Sequence, residues 1–429
     1  MLFRDCEFIR VRRERPASKS DVGLRLHEAA AGLLDIRIHP GQRVGVLVGS
    51  RGIAGIGDIV TGLVRLLAGR GARVVLIPAM GSHGDGTSAG QIRVLRTLGI
   101  DEDALPCVID ASMDVEEIGR LRCGAPVYTA VSALSCDVII PVNRVKPHSD
   151  FRGPVESGLV KMLAVGLGKV QGASSLHAVG FDRFFEVLPE AAQMVIDRIE
   201  VPFGVALVEN SWHQLCEVEA VPGEEILERE KKLLALALEQ LGVLPFPNLD
   251  ILVLREMGKD ISGAGIDPNV SGRWAGMDLG GGASVGRLAV LDLTEASAGN
   301  ASGVGLADIV TERLRTKIDW QATYLNAITS KSLGGCRLPL VAKNDRDALE
   351  IALASVFGLD LSHPRFVGMR NTLEVNDLVV SPDLVGVAEE AGYLIEGFPA
   401  RAEFDESGVL LSICGLEFFA APGADLVMP

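Results

Sequence analysis

The sequence predicts an α/β protein of two domains, each with a central sheet flanked by helices. The chain has 429 residues, of which 48% are hydrophobic and 49 are glycine, enough for two separate cores. Short apolar runs alternate with segments in which apolar residues recur at helical spacing. Because strands that alternate with helices form parallel sheets, ligands are expected at the carboxyl ends of the strands.

The first predicted domain covers residues 1–247. The apolar runs predict strands, the amphipathic segments predict helices, and glycine near 69–71 and at 99 ends two of the helices. The predicted strands are 42–49, 72–78 and 136–142, and the predicted helices are 56–68, 91–98 and 224–241. The stretch LGVLPFPNL after the last helix is interpreted as a linker.

The second predicted domain covers residues 248–400, and the active site is expected in the cleft between the two domains. Its predicted strands begin at Asp250 and cover 288–293 and 378–381, and its predicted helices are 308–314, 324–329 and 345–357. For the tail, residues 401–429, the sequence leaves packing on the first domain open.

The charge and cysteine content exclude several classes of protein. A formal net charge of −15 argues against nucleic-acid binding, which needs a basic face. Seven cysteines lie scattered without a CxxC pair, which favours reduced thiols over a disulfide framework. Residues 1–15 lack the apolar run of a signal peptide, and no apolar stretch is long enough to span a membrane. We therefore expect a cytoplasmic protein with no membrane contact.

A glycine-rich turn follows the first predicted strand, in VLVGSRGIAGIGDIV, residues 46–60. Its glycines let backbone N–H groups approach an anion, and Ser50, Arg51 and Gly52 are the candidate contacts. The spacing matches neither G-x-G-x-x-G nor a Walker A loop. A tight turn without any ligand is the alternative.

Four side chains with useful chemistry follow the next two strands. His83 lies in MGSHGDG, where glycines leave the imidazole accessible, although a lone histidine is more often structural. His148, Lys161 and His177 lie in residues 141–177. A lysine in the apolar stretch GLVKMLAVGLG is a candidate nucleophile, the alternative being an ordinary surface lysine. His177 is a candidate metal ligand after a QGASS linker, although no protein-only metal motif surrounds it.

The second domain opens on LREMGKDISGAGIDPNVSGR, residues 254–273, which places Lys259 in a polar turn at a strand end. Such a turn is either a substrate or cofactor contact or merely a polar connection.

Taken in this order, the segments VGSRGI, PAMGSHGDGTSAGQ, KPHSDFRGPVESGLVKMLAVGLGK and REMGKDISG resemble the lactate racemase family. The resemblance implies a nickel-pincer nucleotide, a pyridinium mononucleotide whose two sulfurs and one ring carbon hold nickel. It implies that Lys161 carries this cofactor covalently, that His177 is the remaining nickel ligand, and that His83 and His148 are the catalytic bases. Arg51 and Lys259 would neutralise a substrate carboxylate or the cofactor phosphate. Enzymes that synthesise the cofactor are the implied partners.

The activity implied is racemisation or epimerisation at C2 of a 2-hydroxy acid by hydride transfer to and from the cofactor. Two departures from the lactate enzymes argue for another substrate. The family's D-x-T-R-P pattern is replaced here by Val48 to Gly52, without the aspartate, and the segment between His148 and Lys161 is longer. A sugar acid, a dicarboxylate or an aryl hydroxy acid is then expected.

Two alternatives remain at this point. One is an NAD-dependent 2-hydroxy acid dehydrogenase, against which the irregular glycine spacing at 49–57 argues. The other is a non-catalytic protein that binds the nickel nucleotide.

Overall fold

The computed structural model describes residues 3–17, 22–50, 52–101, 105–276, 278–360 and 362–419. The chain divides into two units by its internal contacts. One, called the N-terminal unit, is Ala17–Leu241, and the other, called the C-terminal unit, combines Met1–Pro16 with Gly242–Pro429. Among the described residues, no helix is both long and apolar enough to cross a membrane.

The described part of the chain contains these strands: β1 (Phe8–Arg12), β2 (Arg43–Val48), β3 (Arg73–Pro78), β4 (Val108–Ile109), β5 (Val115–Arg120), β6 (Pro126–Ala130), β7 (Val138–Arg144), β8 (Phe203–Glu209), β9 (Leu215–Pro222), β10 (Asn248–Met257), β11 (Ser284–Leu293), β12 (Ile309–Thr311), β13 (Leu340–Ala342), β14 (Phe366–Met369), β15 (Asp377–Val380), β16 (Leu394–Ala400), β17 (Ala402–Phe404), β18 (Leu410–Ile413) and β19 (Leu416–Glu417).

The α-helices of the described residues are α1 (Val22–Arg37), α2 (Ile56–Gly69), α3 (Ser88–Thr97), α4 (Val131–Leu134), α5 (Leu159–Lys161), α6 (Lys169–His177), α7 (Phe184–Arg198), α8 (Ile226–Gln240), α9 (Pro268–Ser271), α10 (Glu312–Lys317), α11 (Trp320–Thr329), α12 (Asp345–Ser355) and α13 (Val385–Glu390).

The described strands of the N-terminal unit form a central sheet in the order β4-β3-β2-β7-β8-β9. All neighbours are parallel except β8 and β9. Side chains alternate between the faces of a strand, so Val46 packs with helices α1 to α3 on one face, whereas Leu47 packs with α5 and α7 on the other. This is the doubly wound α/β arrangement that the sequence predicts.

The C-terminal unit also has a mixed sheet, with the described strands in the order β13-β12-β11-β10-β14-β15-β1-β16. The first five are parallel, and the remaining pairs are antiparallel. Leu252 and Leu254 pack on one face of β10, and Ile251 and Val253 pack on the other. The predicted α/β class is confirmed for both units.

The structure divides the chain differently from the predicted boundary at residue 247. The units meet in sequence at Leu241–Gly242, and residues 1–16 join the C-terminal unit because β1 pairs with β15 and β16. The described part of the tail also belongs there, since Leu410 and Phe418 pack against the strand residue Ile251. The packing of the tail, which the sequence left open, is thus with the C-terminal unit for residues 401–419.

Two local predictions also need correction. The helix predicted at 308–314 begins as strand β12, whose Ile309 and Val310 are buried, and helix starts only after Thr311, whose hydroxyl caps it by accepting from the Leu314 N–H. The QGASS segment before His177 is helical rather than a linker, because it forms most of α6.

Candidate functional site

Three loops of the N-terminal unit leave the carboxyl edge of its sheet side by side. In the strand register, Val48 of β2 lies opposite Pro78 of β3 and Val142 of β7. The loops that follow these strands carry the predicted residues Ser50, His83 and His148. Neighbouring parallel strands thus bring together three segments that are far apart in sequence, at the edge where α/β folds bind ligands.

Lys161 ends the short helix α5 and is half-buried. The chain continues directly into a π-helical turn, Met162–Gly166, in which the Leu167 N–H donates to the Met162 carbonyl at 3.0 Å. A π turn is energetically poorer than an α turn and is often retained at functional sites. The turn is buried throughout, so it holds the lysine at the edge of the core.

Lys161 is in contact with a histidine, since His148 Nε2 lies 2.5 Å from Lys161 Nζ. The Asp150 N–H donates to His148 Nδ1 at 3.0 Å, which orients the ring so that Nε2 faces the lysine. The two nitrogens are within hydrogen-bonding distance, so His148 is placed to exchange a proton with the lysine, whose uncharged amine is its nucleophilic form.

A buried carboxylate holds the loop that carries His148. Glu156 accepts from the His148 N–H at 2.6 Å and from the Gly153 N–H at 3.2 Å, and it lies 3.4 Å from the Arg152 guanidinium. Burial raises the pKa of the Glu156 carboxyl, and these contacts oppose the rise. The loop backbone is thereby fixed from within.

Three phenylalanines place His148 and His177 around one apolar cluster. Phe181 lies 5.9 Å from the His148 ring and 5.5 Å from the His177 ring, between ring centroids. Phe184 stacks on His177 at 5.6 Å, and Phe151 contacts His148 at 4.4 Å. Lys161 Nζ lies 6.0 Å from the centre of Phe151. The cluster thus unites Lys161, His148 and His177 in the N-terminal unit.

The loop that carries His83 packs on the same segment through its backbone. The Gly81 N–H donates to the Gly166 carbonyl at 3.0 Å, and Gly166 has no room for a side chain because a Cβ would lie 2.4 Å from the Ala79 oxygen. The His83 side chain itself is exposed. The loop is therefore tied to the π turn, while its histidine remains accessible.

The glycine-rich turn after β2 is anchored by a partly buried ion pair. The Ala54 N–H donates to Glu209 at 2.6 Å, and Glu209 pairs with Arg144. Ser50 is half-buried and Gly52 is exposed. The predicted anion contact Arg51 lies outside the described residues. The described part of the turn is thus anchored at Ala54 and exposed at Gly52.

Lys259 is the one predicted site residue that belongs to the C-terminal unit. It lies in the turn after β10, where its ammonium donates to the Gly263 carbonyl and to Asn326 Oδ1, the latter at 3.0 Å. The Lys259 N–H donates to the Ser297 hydroxyl at 2.9 Å. This lysine is held at the carboxyl end of a parallel strand, as its sequence position predicts.

Sequence reasoning missed Glu230, a buried carboxyl group next to the Lys161 helix. Glu230 Oε2 accepts from the Val160 N–H at 3.0 Å, and its carboxyl fills the space where Gly158 lacks a Cβ. A carboxyl at a helix N-terminus satisfies backbone donors. The signal was present, because Ile226, Glu230 and Leu233 share one helical face in α8.

Substituting Glu230→Gln is expected to change how stability depends on pH. Burial raises the pKa of this carboxyl from 4.5 to about 7. The proton is therefore held more tightly in the folded state, and the resulting stability is present below pH 4.5 and lost as the pH rises to about 7. The free energy of unfolding of Glu230→Gln, relative to wild type, should rise by about 2 kcal/mol between about pH 5 and pH 8.

Urea unfolding at the two pH values measures this difference. The matched control is Glu228→Gln, an exposed glutamate on the same helix, which should leave the difference between variant and wild type nearly independent of pH. If the free energies of unfolding of Glu230→Gln and wild type instead change in parallel with pH, Glu230 is ionised in the folded protein over this whole pH range.

The chain is similar to a protein of known structure. No protein-family model matches the chain, and no curated protein matches it. Among solved structures, it is similar to the lactate racemase apoprotein from Thermoanaerobacterium thermosaccharolyticum, with a TM-score of 0.51 and 15% sequence identity over 86% of this chain and 99% of that chain. The chain has the lactate racemase fold. The fold that the sequence resemblance implies is thereby confirmed.

His177 is the candidate metal ligand that the described residues place in the phenylalanine cluster. In the described ranges, no group of three or more His, Cys, Asp or Glu side chains is arranged to hold a metal ion. His177 supplies one imidazole, and its neighbours in the cluster are phenylalanines. An imidazole is a donor suited to zinc, copper, iron or nickel.

Proposed function

We propose that this protein is a nickel-pincer-nucleotide-dependent racemase or epimerase acting at C2 of a 2-hydroxy acid. The observation that carries the proposal is the 2.5 Å contact between Lys161 Nζ and His148 Nε2, beside a cluster that also holds His177. It supports a lysine that can pass a proton to a neighbouring base on acylation, with one histidine as that base and a second as a metal ligand.

The side chains present are of the types that would hold this cofactor. Lys161 would hold it through an amide-type bond to nitrogen, and His177 would supply the protein ligand to nickel. The phenylalanine cluster would exclude water from the metal side, which strengthens electrostatic interactions there. Ser50, Arg51 and Gly52 are proposed to contact the cofactor, because a glycine-rich turn after a strand suits an anion.

When bound, the cofactor would accept the C2 hydrogen of the substrate as hydride and return it to either face. The two histidines are proposed to serve the substrate hydroxyl. His148 is oriented by the Asp150 N–H at Nδ1, so Nε2 is the ring nitrogen left to face the substrate hydroxyl. His83 is exposed on its loop and would serve the opposite enantiomer. Two bases are needed because either enantiomer can be the substrate, and each presents its hydroxyl group differently.

The substrate is proposed to be larger than lactate, and a sugar acid, a dicarboxylate or an aryl hydroxy acid are the candidate classes. Arg51 and Lys259 would neutralise its carboxylate or the cofactor phosphate, since a guanidinium and an ammonium are the side chains suited to either anion. Loading would require the enzymes that synthesise the cofactor as transient partners.

The proposal is tested by peptide mass spectrometry after coexpression with the cofactor-synthesis enzymes. We expect a covalent adduct and nickel, one per chain, on the peptide that contains Lys161, and neither on Lys161→Arg. Lys231→Arg is the matched control, because Lys231 is an exposed lysine of the same unit and should load normally. An unmodified Lys161 peptide in the wild type would contradict covalent attachment.

The reaction itself is tested by incubating the loaded protein with single-enantiomer 2-hydroxy acids, followed by chiral chromatography. We expect inversion at C2 for at least one of the three candidate substrate classes. Stoichiometric 2-keto acid with reduction of added NAD would instead identify a dehydrogenase. Loading without turnover of any substrate would support a binding protein.

A further inference from the structure

One lysine of the N-terminal unit is fully buried although it takes no part in the proposed chemistry. Lys169 begins α6 and has no exposed surface. Its ammonium donates to the Pro78 carbonyl at 2.7 Å and to Gln91 Oε1 at 3.0 Å. Burial lowers the pKa of Lys169 to about 8, against a smaller opposing effect of Asp110. Keeping a cation there is costly for the fold.

Gln91 connects Lys169 to the loop that carries His83 by hydrogen bonds. The Gln91 side chain is also fully buried. While its Oε1 accepts from Lys169, its Nε2 donates to the Gly81 carbonyl at 3.1 Å and to the His83 carbonyl at 3.4 Å. Both N–H groups of one amide thus donate to the loop, while its oxygen accepts from the lysine.

The backbone at Lys169 is itself constrained. Its φ of +52° lies in the left-handed region, which a residue with a side chain adopts only at a cost of about 1 kcal/mol or more. Lys169 is the first residue of the helix that ends at His177, and it closely follows the π turn after Lys161. The buried cation is therefore placed where the Lys161 segment, the His177 helix and the His83 loop meet.

We propose that Lys169 is a positioning residue that, through Gln91, holds the His83 loop against the segment carrying Lys161 and His177. Lys169 touches no reacting atom in this assignment. Pro78, at the end of β3, and the carbonyls of Gly81 and His83 are fixed by one connected set of hydrogen bonds. The backbone of the loop is then held in position, although the His83 side chain is exposed. The catalytic part of this inference rests on the proposed function.

The test uses Lys169→Met, which keeps length without charge, and Gln91→Glu, which still accepts from Lys169 but no longer donates to the loop. Lys169→Arg restores a buried cation with donors. Lys231→Met, at an exposed position of the same unit, is the control. Amide hydrogen exchange of the unloaded protein, followed on peptides covering 79–91, reports the loop without requiring any activity.

We expect exchange in that peptide to rise about fivefold or more in Lys169→Met and Gln91→Glu, with peptides of the C-terminal unit unchanged. In loaded protein, kcat per modified Lys161 should fall about tenfold or more with KM within about twofold, because a displaced base affects the transition state more than binding. Lys169→Arg should recover part of kcat, and Lys231→Met should match wild type.

The outcomes separate this inference from the proposed function. Unchanged exchange in both Lys169→Met and Gln91→Glu overturns the role of Lys169 in holding the loop, whatever the activity. Faster exchange in a protein that turns over no 2-hydroxy acid overturns the proposed function and leaves the hydrogen-bonded link intact. Faster exchange with wild-type kcat overturns the positioning role in catalysis.

Discussion

Substituting His83→Asn or His148→Asn is expected to lower kcat/KM by about 10²–10⁴-fold, the range for removal of a general base. Asparagine keeps hydrogen-bonding capacity but does not take up a proton near neutral pH. For a racemase the two enantiomers have equal free energy, so kcat/KM must fall equally in both directions, even though each histidine serves one hand. The measurement is polarimetry or chiral chromatography from each pure enantiomer.

The controls for this prediction lie on the same unit. His27→Asn removes an exposed histidine on α1 and should leave turnover unchanged. Mass spectrometry of the Lys161 peptide shows whether each variant is loaded, and kcat is expressed per modified lysine. The double variant should lose little more than the worse single variant, since residues that act as a unit are not additive. Wild-type turnover in both single variants would contradict the assignment of these bases.

Substituting Gly90→Ala is expected to destabilise the N-terminal unit by about 2–4 kcal/mol, at the upper end of the range for overpacking. Gly90 lies in α3, where a Cβ would come within 1.8 Å of the Gly84 carbonyl oxygen. The clash is with backbone, so no side-chain rotation relieves it, and the loop that carries His83 must move. Urea unfolding measures the loss.

Gly69→Ala is the matched control, because a Cβ there meets nothing within 4 Å at the exposed end of α2. It should leave stability unchanged or raise it by up to about 1 kcal/mol, as expected for alanine in place of helical glycine. In loaded protein, Gly90→Ala should also lower turnover, because His83 is displaced with its loop. Equal stability of Gly90→Ala and wild type would show that helix and loop are not in backbone contact.

Local sequence patterns located much of the candidate site. The apolar runs before residues 49, 79 and 145 predicted strands β2, β3 and β7, and glycine-rich loops after them carry Ser50, His83 and His148. These predictions depend on short-range properties, namely the burial of a strand and the turn that follows it. The roles of the residues remain proposals.

Local sequence patterns did not predict other parts of the site. Helix α3 starts at Ser88 rather than at the predicted 91, because the Thr87 side chain accepts from the Gly90 N–H. Lys169 and Glu230 are charged residues whose burial depends on partners distant in sequence, at Pro78, Gln91 and Val160. A charged residue in an amphipathic helix is normally assigned to the solvent face.

The sequence by itself determined the α/β class, the strand-end loops and the side chains they carry, because these follow from hydrophobic periodicity and turn chemistry within about 15 residues. Only the tertiary structure decided the domain boundary, because β1 completes a sheet by hydrogen bonding to strands such as Asp377–Val380 at the other end of the chain. It also decided the link from Lys169 through Gln91 to the His83 loop, where buried polar groups had to find one another across the fold.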